Sequence, residues 1–134
     1  MRLSDTHIKW IMLVSGALTC TMIYAFIAPQ AALTSTFGAS LEGPVANVVV
    51  RNWAALITLV GAMLIYGAFH PDVRRFALVV ATISKAVFIA LVLAQGSLFL
   101  GYQAGTAILI DGLWVVLFLW YLSVSYTHLR AHET

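Results

Sequence analysis

The chain has 134 residues, of which 62% are hydrophobic and only 9% are charged, and its formal net charge is +2. A soluble domain carries roughly a quarter charged residues, so this composition excludes an ordinary soluble catalytic domain and indicates contact with lipid. The small net charge, without a basic run, argues against nucleic-acid binding. The single cysteine, Cys20, excludes an intrachain disulfide and a redox-active thiol pair.

Four apolar segments follow one another along the chain, at about residues 8–28, 46–69, 76–98 and 103–122. Each is close to the ~20 residues that cross a ~30 Å hydrocarbon core as a helix. Helices also satisfy their own backbone polar groups in lipid. We therefore predict an all-α integral membrane four-helix bundle, formed as one domain by residues 1–122. The expected partners are the lipid bilayer and either a second copy of the chain or another membrane protein, with no cofactor and no metal.

Basic residues in the loops predict the orientation. Arg2 and Lys9 lie at the start of the first segment, Arg74 and Arg75 lie between the second and third, and the other two loops contain no Lys or Arg. By the positive-inside rule, both termini should be cytoplasmic, in the inner (plasma) membrane of a bacterium. The first segment is longer than the ~7–15-residue core of a signal peptide and Pro29 follows it, so we expect an uncleaved helix.

Residues 123–134 are abruptly more polar than the segment before them. They resemble the translation of a sequencing-adapter remnant. We therefore expect this tail to be artefactual and leave it out of the fold prediction.

Three ionisable residues, Arg51, Lys85 and Asp111, fall inside the second, third and fourth segments. Placing such a group in hydrocarbon costs at least ~2.5 kcal/mol, so they should face one another rather than lipid. At a rise of ~1.5 Å per residue, Arg51 lies about 7 Å from the outer end of its helix, Asp111 about 12 Å and Lys85 roughly 17 Å. The carboxylate therefore falls between the two cations in depth, and we predict an intramembrane Arg–Asp–Lys cluster.

Further polar residues fall on or near the same helix faces and are candidates to support the cluster. Gly101 and Gly105, four residues apart, predict a close approach by the fourth helix. We interpret Trp53, Trp114 and Trp120 as packing or lipid-facing aromatic residues rather than as a ligand cage. The supporting candidates are Asn47, Asn52, Thr58, Thr82 and Gln95.

Residues 50–56, 61–71, 84–88 and 110–112 resemble small four-span bacterial membrane proteins of the DoxX-like and DUF4345-like kind. The resemblance covers most of the chain, from the first helix to Leu122, and implies the same four-helix fold. Some members of these families are linked to respiratory or redox operons. The resemblance identifies no catalytic residue.

Three hypotheses for the function remain open. The short loops and the absence of a recognisable catalytic motif favour a non-enzymatic accessory or interaction subunit, in which the charged cluster sets the bundle geometry. The alternative is a small oligomeric transporter or channel component that uses Asp111 as an ion- or proton-linked site. The third, a redox- or quinone-linked membrane subunit, is motivated by the resemblance alone.

Overall fold

The computed structural model describes residues 5–133, and the side chains of residues 5–124. Within that range, all regular secondary structure is helical. Four stretches are long and apolar enough to cross a membrane: Asp5–Ile27, Pro44–Phe69, Pro71–Leu93 and Gln103–Val124. The predicted all-α bundle is confirmed. Its helices are α1 (Asp5–Cys20), α2 (Ile23–Ile27), α3 (Pro29–Phe37), α4 (Pro44–Phe69), α5 (Pro71–Leu93) and α6 (Gln103–Glu133).

Prolines begin three of these helices. Pro29, Pro44 and Pro71 each occupy the first turn of α3, α4 and α5. Proline suits this position because its fixed φ matches the helix and because the missing N–H would have no partner there. At the other end of α3, the chain leaves the helix through Gly38, which has a φ of 76°. Glycine adopts this left-handed conformation without the steric penalty of a side chain.

The third span is shifted from its predicted position. The apolar pattern placed it at residues 76–98, whereas α5 begins at Pro71 and ends at Leu93. The helix starts earlier because Pro71 and the acidic Asp72 both favour the first turn of a helix. Since that turn contains charged residues, the apolar pattern does not include it. It ends earlier because the chain turns at Gly96, where φ is 69°. A second difference is α3, a short helix in the stretch predicted as the first loop.

The last helix continues to Glu133, through the residues set aside as an artefactual tail. The backbone therefore shows no break at residue 122. The origin of residues 123–134 is not tested by this continuity, and the resemblance to an adapter remnant stays a prediction.

Contacts between helix ends show that the four long stretches alternate in direction. The ammonium of Lys9, near the start of α1, lies 4.9 Å from the centre of the Phe69 ring at the end of α4. The Tyr121 hydroxyl on α6 donates to the Asp5 carboxylate at the start of α1, at 3.3 Å. We call this the basic end of the bundle, because it also holds the start of α5 with Arg74.

Arg74 is a structural residue of the basic end. Its side chain is buried, with 5% exposure. Its Nε donates to the carbonyl of Gly67 at 3.1 Å, and its Nη2 donates to the carbonyl of Ala68 at 2.8 Å. The last carbonyls of a helix have no partner within the helix, so Arg74 satisfies two of them at the end of α4 and fixes the α4–α5 turn.

Helices α1 and α4 approach each other closely through glycine. A Cβ atom added to Gly61 would lie 2.8 Å from the Gly16 carbonyl oxygen and 2.7 Å from the Sγ of Cys20. Small residues permit such backbone contact in membrane helices. The close approach predicted at Gly101 is wrong, since an added Cβ would meet nothing within 4 Å there. At Gly105, the three atoms nearest to an added Cβ belong to the backbone of Leu100, in the preceding turn.

The hydrophobic core lies toward the basic end. Five large side chains from all four spans are fully buried there and pack together, and Ala68, Ala77 and Ala81 fill the spaces between them. The five are Ile8, Met12, Leu64, Leu78 and Phe118.

Candidate functional site

Lys85 on α5 and Asp111 on α6 form an ion pair inside the bundle. The Nζ of Lys85 lies 2.9 Å from the Oδ1 of Asp111. The lysine side chain is 7% exposed and the aspartate side chain 23% exposed. Two charges removed from water need each other to offset the desolvation, so this contact accounts for both residues at membrane depth.

The pair is joined to α1 by a hydroxyl. Lys85 Nζ donates to the Oγ1 of Thr19 at 3.3 Å, and the Thr19 hydroxyl donates to the carbonyl of Ser15 at 2.7 Å. Because the hydroxyl hydrogen is committed to Ser15, the threonine oxygen presents a lone pair to the ammonium. The chain of hydrogen bonds therefore ties α1, α5 and α6 together just before α1 ends at Cys20.

A cavity of about 430 Å³ lies beside the ion pair. This volume falls within the ~300–1,000 Å³ of small-molecule pockets, which are mostly apolar with a few polar groups. Besides the pair itself, the polar lining consists of Thr19, Thr21, Thr36, Ser84, Gln103 and Thr106. The apolar lining includes Leu18, Met22, Trp53, Ile57, Phe88 and Trp114.

The cavity is closed toward the basic end and open at its side. Val60 and Trp114 line it and also pack against the hydrophobic core, so they form its floor. Leu18 on α1 and Ile110 on α6 line it as well, yet they are 47% and 40% exposed. The opening therefore lies between α1 and α6, on a surface that would contact lipid.

Helix α3 covers the end of the cavity away from the core. Thr36 on α3 is part of the lining. The neighbouring Phe37 packs against Trp53, with ring centroids 6.4 Å apart, and edge-on against Phe99 at 5.2 Å. The first predicted loop thus supplies a wall of the site.

Arg51 does not join the ion pair. It is exposed, and its guanidinium lies over the ring of Phe26, 5.7 Å from the centroid. Of the three predicted cluster members, the structure brings together Lys85 and Asp111 alone. The reason is the direction of its side chain around α4. Arg51 precedes the cavity-lining Trp53 by two residues, which is roughly half a turn of helix, so its side chain points away from the cavity.

The five supporting candidates are also dispersed, and none hydrogen-bonds to the pair within the described residues. Asn47 accepts a 2.7 Å hydrogen bond from Gln30, and this links α3 to α4. The Thr58 hydroxyl donates to its own helix, at Ala54. The Thr82 hydroxyl is buried and has no hydrogen-bond partner among the described residues, while Asn52 and Gln95 are exposed.

Sequence reasoning missed the cavity. Trp53 and Trp114, interpreted as packing or lipid-facing residues, do pack against buried core residues, and they also line the cavity. The spacing of residues along α6 could have indicated part of the cavity lining. Ala107 and Trp114 lie four residues before and three after Asp111, positions that share a helix face with it. Both line the cavity.

The described lining of the site offers hydrogen bonds and apolar contacts. Lys85 supplies donors and Asp111 supplies acceptors, and the rest of the lining is apolar, hydroxyl or amide. Among the described residues, no group of three or more His, Cys, Asp or Glu could hold a metal ion. Comparisons with protein-family models, with curated proteins and with solved structures found no match to this chain. The function is therefore argued from the geometry, and the DoxX-like resemblance stays a prediction.

Proposed function

We propose that this protein holds a small, largely apolar molecule inside the membrane, in the cavity beside the Lys85–Asp111 pair. The observation that supports this proposal is the coincidence of two unusual features in one place. A cavity of about 430 Å³ is bordered by a buried ion pair. Pockets that bind small molecules combine an apolar wall with a few well-placed polar groups in this way.

Packing favours an occupant with hydrocarbon groups. Much of the cavity wall is apolar, and because the cavity is open at its side, hydrocarbon that enters from lipid can complete the dispersion contacts of that wall. The open side between Leu18 and Ile110 offers a lipid-soluble molecule a route into the site.

A second candidate is the accessory or interaction subunit, alone or in a homo-oligomer. The observation that favours it is the hydrogen-bonded chain from Ser15 through Thr19 to Lys85, which fixes α1 against α5. A transporter that uses Asp111 is less well supported, because the fully buried core formed around Leu64 and Phe118 separates the cavity from the basic end. Transport would require that core to open.

We also propose that the protein lies in a bacterial inner membrane with its basic end cytoplasmic. Lys9, Arg74 and Arg75 gather at that end, as the positive-inside rule requires of the cytoplasmic side. A membrane-impermeant maleimide should label Asp72→Cys from the cytoplasmic side and Glu42→Cys from the other, in a Cys20→Ser background. The reverse pattern would contradict this orientation.

Binding can be tested with a fluorescence quencher in lipid nanodiscs. Terminally brominated dodecanol quenches tryptophan at contact range, so its entry should quench Trp53 and Trp114 with a saturable dependence on concentration. The variant Ala107→Phe places a large ring in the cavity and should remove the saturable component. The matched control is Ala90→Phe, which makes the same change at an exposed position on α5 that does not line the cavity.

The proposal expects saturable quenching in the natural protein and in Ala90→Phe, and its loss in Ala107→Phe. Quenching that rises linearly and equally in all three proteins would reflect partition into lipid alone. That result would show that the cavity does not take up molecules of this kind.

A further inference from the structure

The charges that border the cavity are balanced. Lys85 and Asp111 are both in its lining, and they pair with each other at 2.9 Å. Arg51, the third charged residue inside a predicted span, lies over Phe26 instead. The polar part of the site is therefore a neutral ion pair, and not an isolated cation or anion.

The pair retains unused hydrogen-bonding capacity. An ammonium group has three N–H donors. Lys85 directs one to Asp111 Oδ1 and one to Thr19 Oγ1, and no third partner lies among the side chains of residues 5–124. Asp111 accepts through Oδ1, while its Oδ2 has no hydrogen bond within the same residues, and its side chain is 23% exposed. One donor and one acceptor thus remain next to each other.

The balance of charge disfavours an ionic ligand. An anion next to Lys85 would lie beside Asp111 as well, giving two negative charges for one positive charge in a medium of low dielectric constant. A cation would create the opposite imbalance. Such unmatched charges are costly away from water. A hydroxyl group adds no charge, and it can donate to a carboxylate and accept from an ammonium at the same time.

We propose that the cavity selects a neutral lipid-soluble alcohol, whose hydroxyl donates to Asp111 and accepts from Lys85 while its hydrocarbon part lies against the apolar walls. This inference rests on the proposed function, since it names the ligand class of the same cavity. The walls suit the hydrocarbon part, because Met22, Ile57 and Phe88 line the site. The opening between Leu18 and Ile110 would admit a lipid-soluble ligand from the bilayer.

The head group can be varied on a constant chain. The probes are terminally brominated dodecanol, dodecyl sulfate, dodecyltrimethylammonium and dodecane, each measured by saturable tryptophan quenching in nanodiscs. A hydrogen bond to a charged group is worth enough to change affinity by roughly tenfold to a hundredfold. The natural protein should therefore bind the alcohol at least about tenfold more tightly than each of the other three.

Two single substitutions should invert the preference. Asp111→Asn leaves Lys85 without a countercharge and should make the sulfate the tightest ligand. Lys85→Met leaves Asp111 alone and should make the trimethylammonium the tightest. Arg51→Gln, which changes a charge on the opposite side of α4, should keep the natural ranking. The ranking in the natural protein needs no variant, so it decides the proposal even if a substitution prevents folding.

The outcomes separate this inference from the proposed function. Saturable binding in which a charged probe ranks first, or in which brominated dodecane equals the alcohol, would overturn the ligand class and leave the binding cavity in place. Absence of saturable binding for all four probes would overturn both. An unchanged ranking in well-folded Asp111→Asn and Lys85→Met would show that the pair does not contact the head group.

Discussion

Lys85 is stabilised by partners on two other helices, and these two partners should contribute unequally to the stability of the bundle. Asp111 neutralises the charge at 2.9 Å, while Thr19 accepts one further hydrogen bond at 3.3 Å. A buried ammonium that loses its countercharge keeps its desolvation penalty. Loss of the carboxylate should therefore matter far more than loss of the hydroxyl.

This asymmetry predicts the effect of breaking the pair. Asp111→Asn should destabilise the bundle by about 2–3 kcal/mol, because it leaves Lys85 buried and uncompensated. Replacing both residues with apolar ones, Lys85→Met with Asp111→Leu, should restore stability to within about 1 kcal/mol of the natural protein. Reversible unfolding in mixed detergent would measure both variants.

The matched control for this cycle is Arg51→Gln. Since Arg51 is exposed and contacts one ring face, its loss should change stability by less than about 1 kcal/mol. Equal losses for Arg51→Gln and Asp111→Asn would contradict the buried-pair account. So would strictly additive effects of the single substitutions Lys85→Met and Asp111→Leu in the double variant.

The same residues show what could be predicted from sequence at this scale. Depth along a helix follows from counting residues, so Lys85 and Asp111 could be expected to meet. Direction around a helix depends on which neighbours pack against each face, and counting does not reveal it. Arg51 has a suitable depth and the wrong direction, and its partner Phe26 lies on a short helix that hydropathy does not separate from α1.

Helices α1 and α4 pack closely where they meet through glycine. At Gly61, the backbone of α1 and the Sγ of Cys20 leave no room for a side chain. Cys20 Sγ also lies 3.7 Å from the carbonyl of Thr58, one turn earlier on α4. This contact holds α1 on α4, while the α1–α6 side remains open enough for the cavity.

Two glycines in helix interiors predict opposite responses to alanine. Gly61→Ala should destabilise the protein by about 1–3 kcal/mol, because the added methyl must displace backbone atoms of α1. Gly112→Ala meets nothing within 4 Å. It should be neutral or stabilising by roughly 0.5–1 kcal/mol, since glycine is the poorer helix former. Thermal unfolding of both variants would check the pair, and a smaller loss for Gly61→Ala than for Gly112→Ala would refute the assigned interface.

At the scale of elements, composition and the length of the apolar segments predicted that four spans exist, but they did not predict where each helix begins and ends. The hydropathy pattern omits the first turn of α5, where Asp72 and Arg74 are polar although the chain is helical. A hydropathy profile places Arg74 in a loop. Its hydrogen bonds to α4 make it part of the packed bundle instead. The spacing Gly101–Gly105 matched a packing motif, but a Cβ added at Gly101 would meet nothing within 4 Å.

The molecule divides along its length into two halves that are filled differently. Large side chains such as Leu64 and Phe118 fill the basic end, whereas the other half contains a smaller cluster of buried alanines, the cavity and the break between α1 and α2. No local pattern in the chain encodes this division, because it depends on distances between helices that are far apart in sequence. For that reason, the ion pair could be predicted and the cavity beside it could not.

The central claim is that Lys85 and Asp111 serve the cavity as well as the fold, and the apolar double variant Lys85→Met with Asp111→Leu tests it most directly. The measurement is the dissociation constant of terminally brominated dodecanol for this variant in nanodiscs, beside its unfolding midpoint. The account predicts near-natural stability together with binding at least about tenfold weaker, no better than that of brominated dodecane. Natural affinity for the alcohol in a stable double variant would contradict it and leave the pair as a fastener of helices.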